Sequence, residues 1–359
     1  MNRFATILAG GGGTRFWPLS RQDLPKQLLN ISGNDIMLND TIQRFDGVIP
    51  MENTIIVTHR SQATLLESIM HTSVQASNIL VEPVSKNTAA SILLAALYIE
   101  KNHGESLMIV FPSDHHITQE EKFRTKLEEA CQIAIETDKI VTIGIKPTFA
   151  ATGYGYISCK SEPLMNTPCP VYEVAEFVEK PTFVKAKSYL ETGHYLWNSG
   201  MFIWKTSTII DNFKRFLPRL YKTMLPLIAY LGTDQEEEMI NQIYPLLQNI
   251  SIDYGILERC DEVVVLEGDF GWNDIGSWDA LGAIFPPDDE GNIVKANYVG
   301  IDTRNSIIYG EKRLITTIGL DHLIIADTED ALLICAKDRA QDIKDMVIML
   351  KEKGLQEYT

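Results

Sequence analysis

Four consecutive glycines, Gly10, Gly11, Gly12 and Gly13, directly follow a short apolar run at residues 4–8. That junction constrains the fold more than any other segment. A run this short suits a buried strand. Glycines behind it let the backbone turn tightly and bring its N–H groups against a phosphate oxygen or a base, with no side chain in the way. Strand character returns at residues 54–58, 79–81, 107–111 and 140–145, with helix-like stretches at 88–101 and 119–137. This alternation predicts βα units around a largely parallel, buried sheet, an α/β fold. In such an open sheet a phosphate binds beside a glycine turn at a strand's carboxyl end.

Residues 152–205 are less regular, with strand-like pieces YGYI, VYEVAEFVE and MFIW and an intervening helix carrying Lys185 and Lys187. Further helices are expected at 209–217 and 236–247, a strand at 263–268, and an apolar stretch at 278–285. Pro286, Pro287, Asp288, Asp289, Glu290 and Gly291 then mark a boundary. Beyond it, short β-prone runs at 293–294, 307–308, 314–315, 323–325 and 332–334 lie too close together for βαβ crossovers. They suit a small all-β domain, followed by an amphipathic stretch at 339–353; with no strict repeat among them, the label of a coiled β-helix rests partly on the resemblance below. The expected division is residues 1–285 and 286–359.

Charge sharpens the glycine loop. The 359-residue chain carries a formal charge of −16, which argues against non-specific nucleic-acid binding. Its first thirty residues, however, hold Arg3, Arg15, Arg21 and Lys26 against Asp23 alone. The loop matches neither common nucleotide signature. A Walker A loop needs Gly-Lys-Ser/Thr where Thr14-Arg15-Phe16 stands, and the GxGxxG pattern breaks at Phe16.

The segment LAGGGGTRFWPLSRQDLPKQ resembles the signature of the sugar-nucleotide pyrophosphorylases. Phe16-Trp17-Pro18-Leu19-Ser20 and Lys26-Gln27 point to the mannose-1-phosphate guanylyltransferase branch. The resemblance implies a Rossmann-like nucleotidyltransferase domain with a mixed, mostly parallel sheet and a C-terminal β-helix-like domain. It implies transfer of GMP from GTP to mannose 1-phosphate, giving GDP-mannose and pyrophosphate. Arg15, Lys26, Asp114 and Asp274 are the expected catalytic residues. Leu8, Gly10, Gly11, Gly13, Thr14 and Arg15 would bind the nucleotide, with Glu82, Pro83, Asn87 and Thr88 at the base. Gly153, Tyr154, Glu179, Lys180 and Asn198 would meet the sugar phosphate. Asp114 in PSDH and Asp274 in WNDIGSW would hold Mg²⁺, or Mn²⁺ in its place. Two carboxylates from separate strand ends suit a hard cation that also takes phosphate and water.

Some local readings stay open. Asp269 competes with Asp274 as a ligand, and Asp114 also suits a turn cap. Asn87 or Thr88 would cap the helix at 88–101. Lys86 and Ala90 depart from the family's frequent Arg and Pro, and Lys lacks the bidentate fork of Arg. His115 and His116 are read as packing or supporting groups, and Trp17, Trp197, Trp204, Trp272 and Trp278 mostly as core or pocket wall.

Cys131, Cys159, Cys169, Cys260 and Cys335 are scattered without a CxxC pair, which favours free thiols in a reducing compartment. No leader or membrane-length apolar run is apparent, so a cytoplasmic protein is expected. The resemblance adds a homodimer through the terminal β region. Two rivals remain: the same chemistry on another sugar phosphate or nucleotide, and a non-catalytic sugar-nucleotide-binding subunit.

Overall fold

The computed structural model describes residues 1–70, 74–165 and 170–359, and Cys169 lies outside the described residues. The chain separates into two compact units, each assembled from several segments. The first comprises Met1–Gly10, Thr41–Ser113 and Ile117–Trp272; the second comprises Gly11–Asp40, Asp114–His116 and Asn273–Thr359. The Pro286-Pro287 turn therefore falls inside the second unit.

In chain order the strands up to residue 268 are β1 (Arg3–Ala9), β2 (Thr54–His59), β3 (Ile79–Glu82), β4 (Leu107–Pro112), the two-residue β5 (His116–Ile117), β6 (Ile140–Ile145), β7 (Tyr156–Met165), β8 (Val171–Val178), β9 (Tyr195–Lys205) and β10 (Val263–Gly268). All but β5 form one sheet in the order β3-β2-β1-β4-β9-β6-β10-β8-β7. β1 lies parallel between β2 and β4, with Ile7 opposite Ile56 and Phe111. β9 enters antiparallel between β4 and β6, and β8 is antiparallel to both β10 and β7. The other seven strands share one direction, so the sheet is mixed and mostly parallel.

The sequence explains this burial. β6, IVTIGI, is buried at every position, as a central strand covered on both faces requires. The helix Asn87–His103 is buried without a break from Ala89 to Ile99. It has apolar residues on all sides because it lies between the sheet and the helix Thr206–Phe216. The irregular stretch supplies β7, β8, the helix Phe183–Thr192 and β9, as the sequence pattern predicts.

The second unit contains the two-residue β11 (Trp272–Asn273, shared with the first unit at Trp272), then β12 (Ile293–Lys295), β13 (Tyr298–Ile301), β14 (Ile307–Gly310), β15 (Ile315–Ile318), β16 (Leu323–Asp327) and β17 (Leu332–Ala336). β12, β14 and β16 stack in parallel, placing Ile293 beside Ile307 and Ile307 beside Ile324. β13 and β15 form a second parallel face. Asn292 ties successive turns, donating to the Thr303 carbonyl at 2.8 Å and accepting the Ser306 N–H at 3.0 Å. This is the expected coil, with β13 as a strand the sequence reading missed.

The coil shares a core with the chain behind the glycine loop. Phe16, Trp17, Leu29, Ile31 and Met37 pack in one cluster with Trp278, Ile293, Ile307 and Ile324. All five tryptophans are buried, and the Trp278 indole donates to the Trp17 carbonyl at 3.0 Å. Ile324→Ala would leave a cavity in this shared core and is expected to cost about 2–5 kcal/mol of stability in urea unfolding. A loss below about 1 kcal/mol would contradict that packing.

Candidate active site

The second unit holds the loop and both aspartates. Past Gly10, the glycine loop leads into one 3₁₀ turn, Thr14–Phe16. Gly13 has φ 56°, and a Cβ there would overlap that of Lys26 and stand 3.0 Å from the Lys26 backbone nitrogen. Only glycine meets both demands. The Ser20 hydroxyl donates to the Gly13 carbonyl at 2.8 Å, and the Gln27 amide donates to that of Gly11 at 3.0 Å. Gly11, Gly12 and Thr14 remain exposed.

Lys26, in this unit, is 3% exposed. Its ammonium donates to the Asp114 carboxylate at 2.8 Å, to the Asp114 carbonyl at 2.9 Å and to the Asp274 carbonyl at 2.6 Å. One side chain thus spends three donors joining the two aspartate-bearing segments. The Asp114 side chain remains 33% exposed. Burial raises its pKa, but Lys26, His115 and Arg15 outweigh that and hold it below the ordinary aspartate value. Asp274 Oδ1 accepts the Gly276 N–H at 3.1 Å, while Asp269, assigned to the first unit, is exposed.

Arg15 donates to the Gln341 side chain at 2.8 Å, and Gln341 donates to the Ser277 hydroxyl at 2.8 Å. Trp17 and Arg21 both donate to the Tyr358 carbonyl, at 2.6 and 2.9 Å.

The first unit holds the other expected residues, in two groups. Glu82 is buried beside Gly10 and accepts the Ser91 hydroxyl at 2.5 Å and the hydroxyl of buried Tyr244. Burial raises the Glu82 pKa, and these two bonds oppose the rise. Asn87 adopts φ 65°, its side-chain oxygen accepting the Thr88 N–H at 2.9 Å. The Thr88 hydroxyl accepts the Ile252 N–H at 2.9 Å, so it fastens the helix start to a later segment and does not cap its own helix. Leu8 and Pro83 are partly buried.

Gly153 is exposed, and the Tyr154 ring packs edge-on against Trp197 and Trp272 at centroid distances of 5.0 and 5.4 Å. Lys180 Nζ pairs with Glu179 at 2.8 Å, and the Asn198 amide donates to Asp253 at 3.2 Å. Gln341, Tyr244 and Asp253 fall outside the sequence reading. Gln341 and Tyr244 carry no local signal, and Ser251-Ile252-Asp253 reads only as a helix start.

A family profile described as nucleotidyl transferase matches residues 4–290, and one described as MannoseP isomerase/GMP-like beta-helix domain matches residues 296–350. The mannose-1-phosphate guanylyltransferase of Escherichia coli K12 is 35% identical over 99% of this chain and 75% of its own length. The chain belongs to the mannose-1-phosphate guanylyltransferase family. The family member RfbM of Salmonella typhimurium LT2 is 37% identical over 100% of this chain and 74% of its own. The crystal structure of a mannose-1-phosphate geranyltransferase from Thermus thermophilus superposes with a TM-score of 0.87 at 32% identity, covering 98% of this chain and 100% of that one. The nucleotidyltransferase fold and β-helix-like domain expected of the family are both present.

Among the described residues no helix is long and apolar enough to cross a membrane, and no group of three or more His, Cys, Asp or Glu could hold a metal. Gly13→Ala is expected to destabilise the chain by about 1–3 kcal/mol, since it meets strain in φ and collision with Lys26 together. Unchanged urea unfolding would contradict the tight Gly13–Lys26 approach.

Proposed function

We propose that this chain transfers GMP from GTP to α-D-mannose 1-phosphate, forming GDP-mannose and pyrophosphate. The observation that carries the reading is 35–37% identity to guanylyltransferases along nearly the whole chain. The Lys26–Asp114–Asp274 arrangement supports it further. A phosphate oxygen of mannose 1-phosphate attacks the α-phosphorus of GTP. The bond from that phosphorus to the bridging oxygen breaks, and pyrophosphate leaves with the electron pair. The nucleophile is already ionised, so no protein nucleophile or general base is needed. The residues have to position two anions and offset their charge.

Arg15 and Lys26 are assigned to the nucleotide phosphates, with the exposed residues Gly11 and Thr14 beside them. Lys26, whose three donors are taken up by Asp114 and Asp274, acts on the phosphates through its charge while keeping the two aspartate segments together. Gly10, Leu8, Glu82, Pro83, Asn87 and Thr88 are assigned to the guanine end. Because the Glu82 carboxylate is engaged by Ser91 and Tyr244, its part is to shape that end. Lys180 is assigned to the sugar phosphate, and Glu179, Asn198, Gly153 and Tyr154 to the sugar.

A divalent cation, Mg²⁺ or Mn²⁺ in its place, would be held by Asp114 and Asp274 and would supply charge to offset the phosphates. Asp114 fits, being a hard oxygen donor kept ionised by Lys26, His115 and Arg15. We also place the functional division at 285/286, supported by family matches that end at 290 and begin at 296. A cytoplasmic location is supported by four free cysteines among the described residues, and burial pushes the Cys131 thiol up to about 12. A homodimer through the β-coil is the assembly the family resemblance suggests.

Pyrophosphate added separately to GDP-mannose, UDP-glucose and dTDP-glucose tests the reading. GTP and mannose 1-phosphate should form from the first, at a rate well above the other two. A preference for another sugar nucleotide would assign the site to that substrate, and binding without turnover would support a regulatory subunit. Lys26→Ala should lower kcat roughly 10²-fold or more while circular dichroism stays native-like. Wild-type turnover in that variant would remove Lys26 from the chemistry.

A further inference from the structure

Asp253 stands in the one-turn helix Ile252–Gly255, where the Ser251 hydroxyl accepts the Tyr254 N–H at 3.3 Å. Its carboxylate accepts the Asn198 amide at 3.2 Å, and the Asn198 side-chain oxygen accepts the Gly200 N–H at 3.0 Å. The amide is therefore held from both ends. The Asn198 backbone N–H also donates to the Gly155 carbonyl at 2.8 Å. A Cβ on Gly155 would stand 2.5 Å from a Glu179 carboxylate oxygen and 3.2 Å from Asn198 Cβ, so glycine permits the approach of Glu179 and Asn198. Lys180 joins the group through its 2.8 Å pair with Glu179.

We propose that Asp253 is a positioning residue for the sugar-phosphate end, orienting Asn198 and, with Glu179 and Lys180, setting the charge that the incoming phosphate meets. The inference rests on the reading of Glu179, Lys180 and Asn198 given above. Fixing an amide by both of its ends leaves its remaining N–H aimed in one direction, which lowers the cost of ordering it around a ligand hydroxyl.

The ionisation of Asp253 gives this role a pH signature. Burial raises its pKa, the Glu179 charge adds to the rise, and its own backbone N–H, Lys180 and Ser251 oppose it, leaving it at about 7. Tyr254 is a further titratable neighbour of the group, acting on Lys180. Below about 7 Asp253 is neutral. As pH rises through that value a second negative charge develops beside Glu179 and opposes a phosphate dianion. Sugar-phosphate affinity therefore falls with rising pH.

Steady-state kinetics of the full chain from about pH 6 to 8.5 test this, with mannose 1-phosphate and GTP varied in turn. In the wild type, KM for mannose 1-phosphate should rise several-fold through neutrality. Asp253→Asn, permanently uncharged and still able to accept from Asn198, should lose that rise. The sugar phosphate's own titration is common to both enzymes and cancels in the comparison. Asp253→Ala, which releases Asn198 and also lacks the charge, should raise KM for mannose 1-phosphate about tenfold at pH 6, the excess over wild type narrowing as pH rises, with kcat and KM for GTP within about twofold. A wild-type pH profile in Asp253→Asn would overturn the inference alone, even if the alanine variant fails to fold. So would an unchanged KM at pH 6 in a folded Asp253→Ala. A wild-type chain that makes no GDP-mannose would overturn the functional reading, and this inference with it.

Discussion

The buried ammonium of Lys26 is the interaction on which the candidate site depends. A charged group this deep is tolerable only when its protons are taken up. Here they go to one carboxylate and two carbonyls from segments 88 and 248 residues away. The same bonds keep Asp114 ionised and fix the backbone from which Asp274 projects. Gly13 is the counterpart of that arrangement, because any larger residue would push Lys26 out of place. Loop glycine, lysine and aspartates are thus one device within the second unit.

The β-coil takes part in the same device. Stacked isoleucines make its interior, and Phe16 and Trp17 continue that interior into the chain behind the glycine loop. Gln341 then holds Arg15, and the Tyr358 carbonyl holds Trp17 and Arg21. The sequence suggests a catalytic domain followed by a separable β domain. In space, residues 11–40 share a compact unit with the coil. The boundary visible in composition at Pro286-Pro287 is a change of texture, while the boundary in packing is set by which apolar side chains meet.

Much of the fold was legible because its signals are local. Strand β6 is apolar throughout, the helix Asn87–His103 is rich in strong helix formers, and the coil's short β-prone runs recur too closely for crossovers. The glycine loop and PKQ segment were legible because close backbone approach and charge need particular residue types. What stayed hidden was long-range. Nothing near Asp253 announces Asn198 and Glu179 as its neighbours, and nothing near Tyr244 announces Glu82. Thr88 looked like a cap because capping is the local use of a threonine, whereas its hydroxyl serves Ile252, 164 residues on.

The grip of Gln341 and Tyr358 on the first thirty residues also bears on biosynthesis. Arg15 meets its partner 326 residues later, and Trp17 meets its own 341 residues later. A ribosome adding about 5–20 residues each second has completed the glycine loop long before those partners exist. The loop's aromatic residues therefore wait, unburied by their final core, until residue 358 has been made. In this chain residues 11–40 belong to a unit that cannot close until residues more than three hundred positions later have been made.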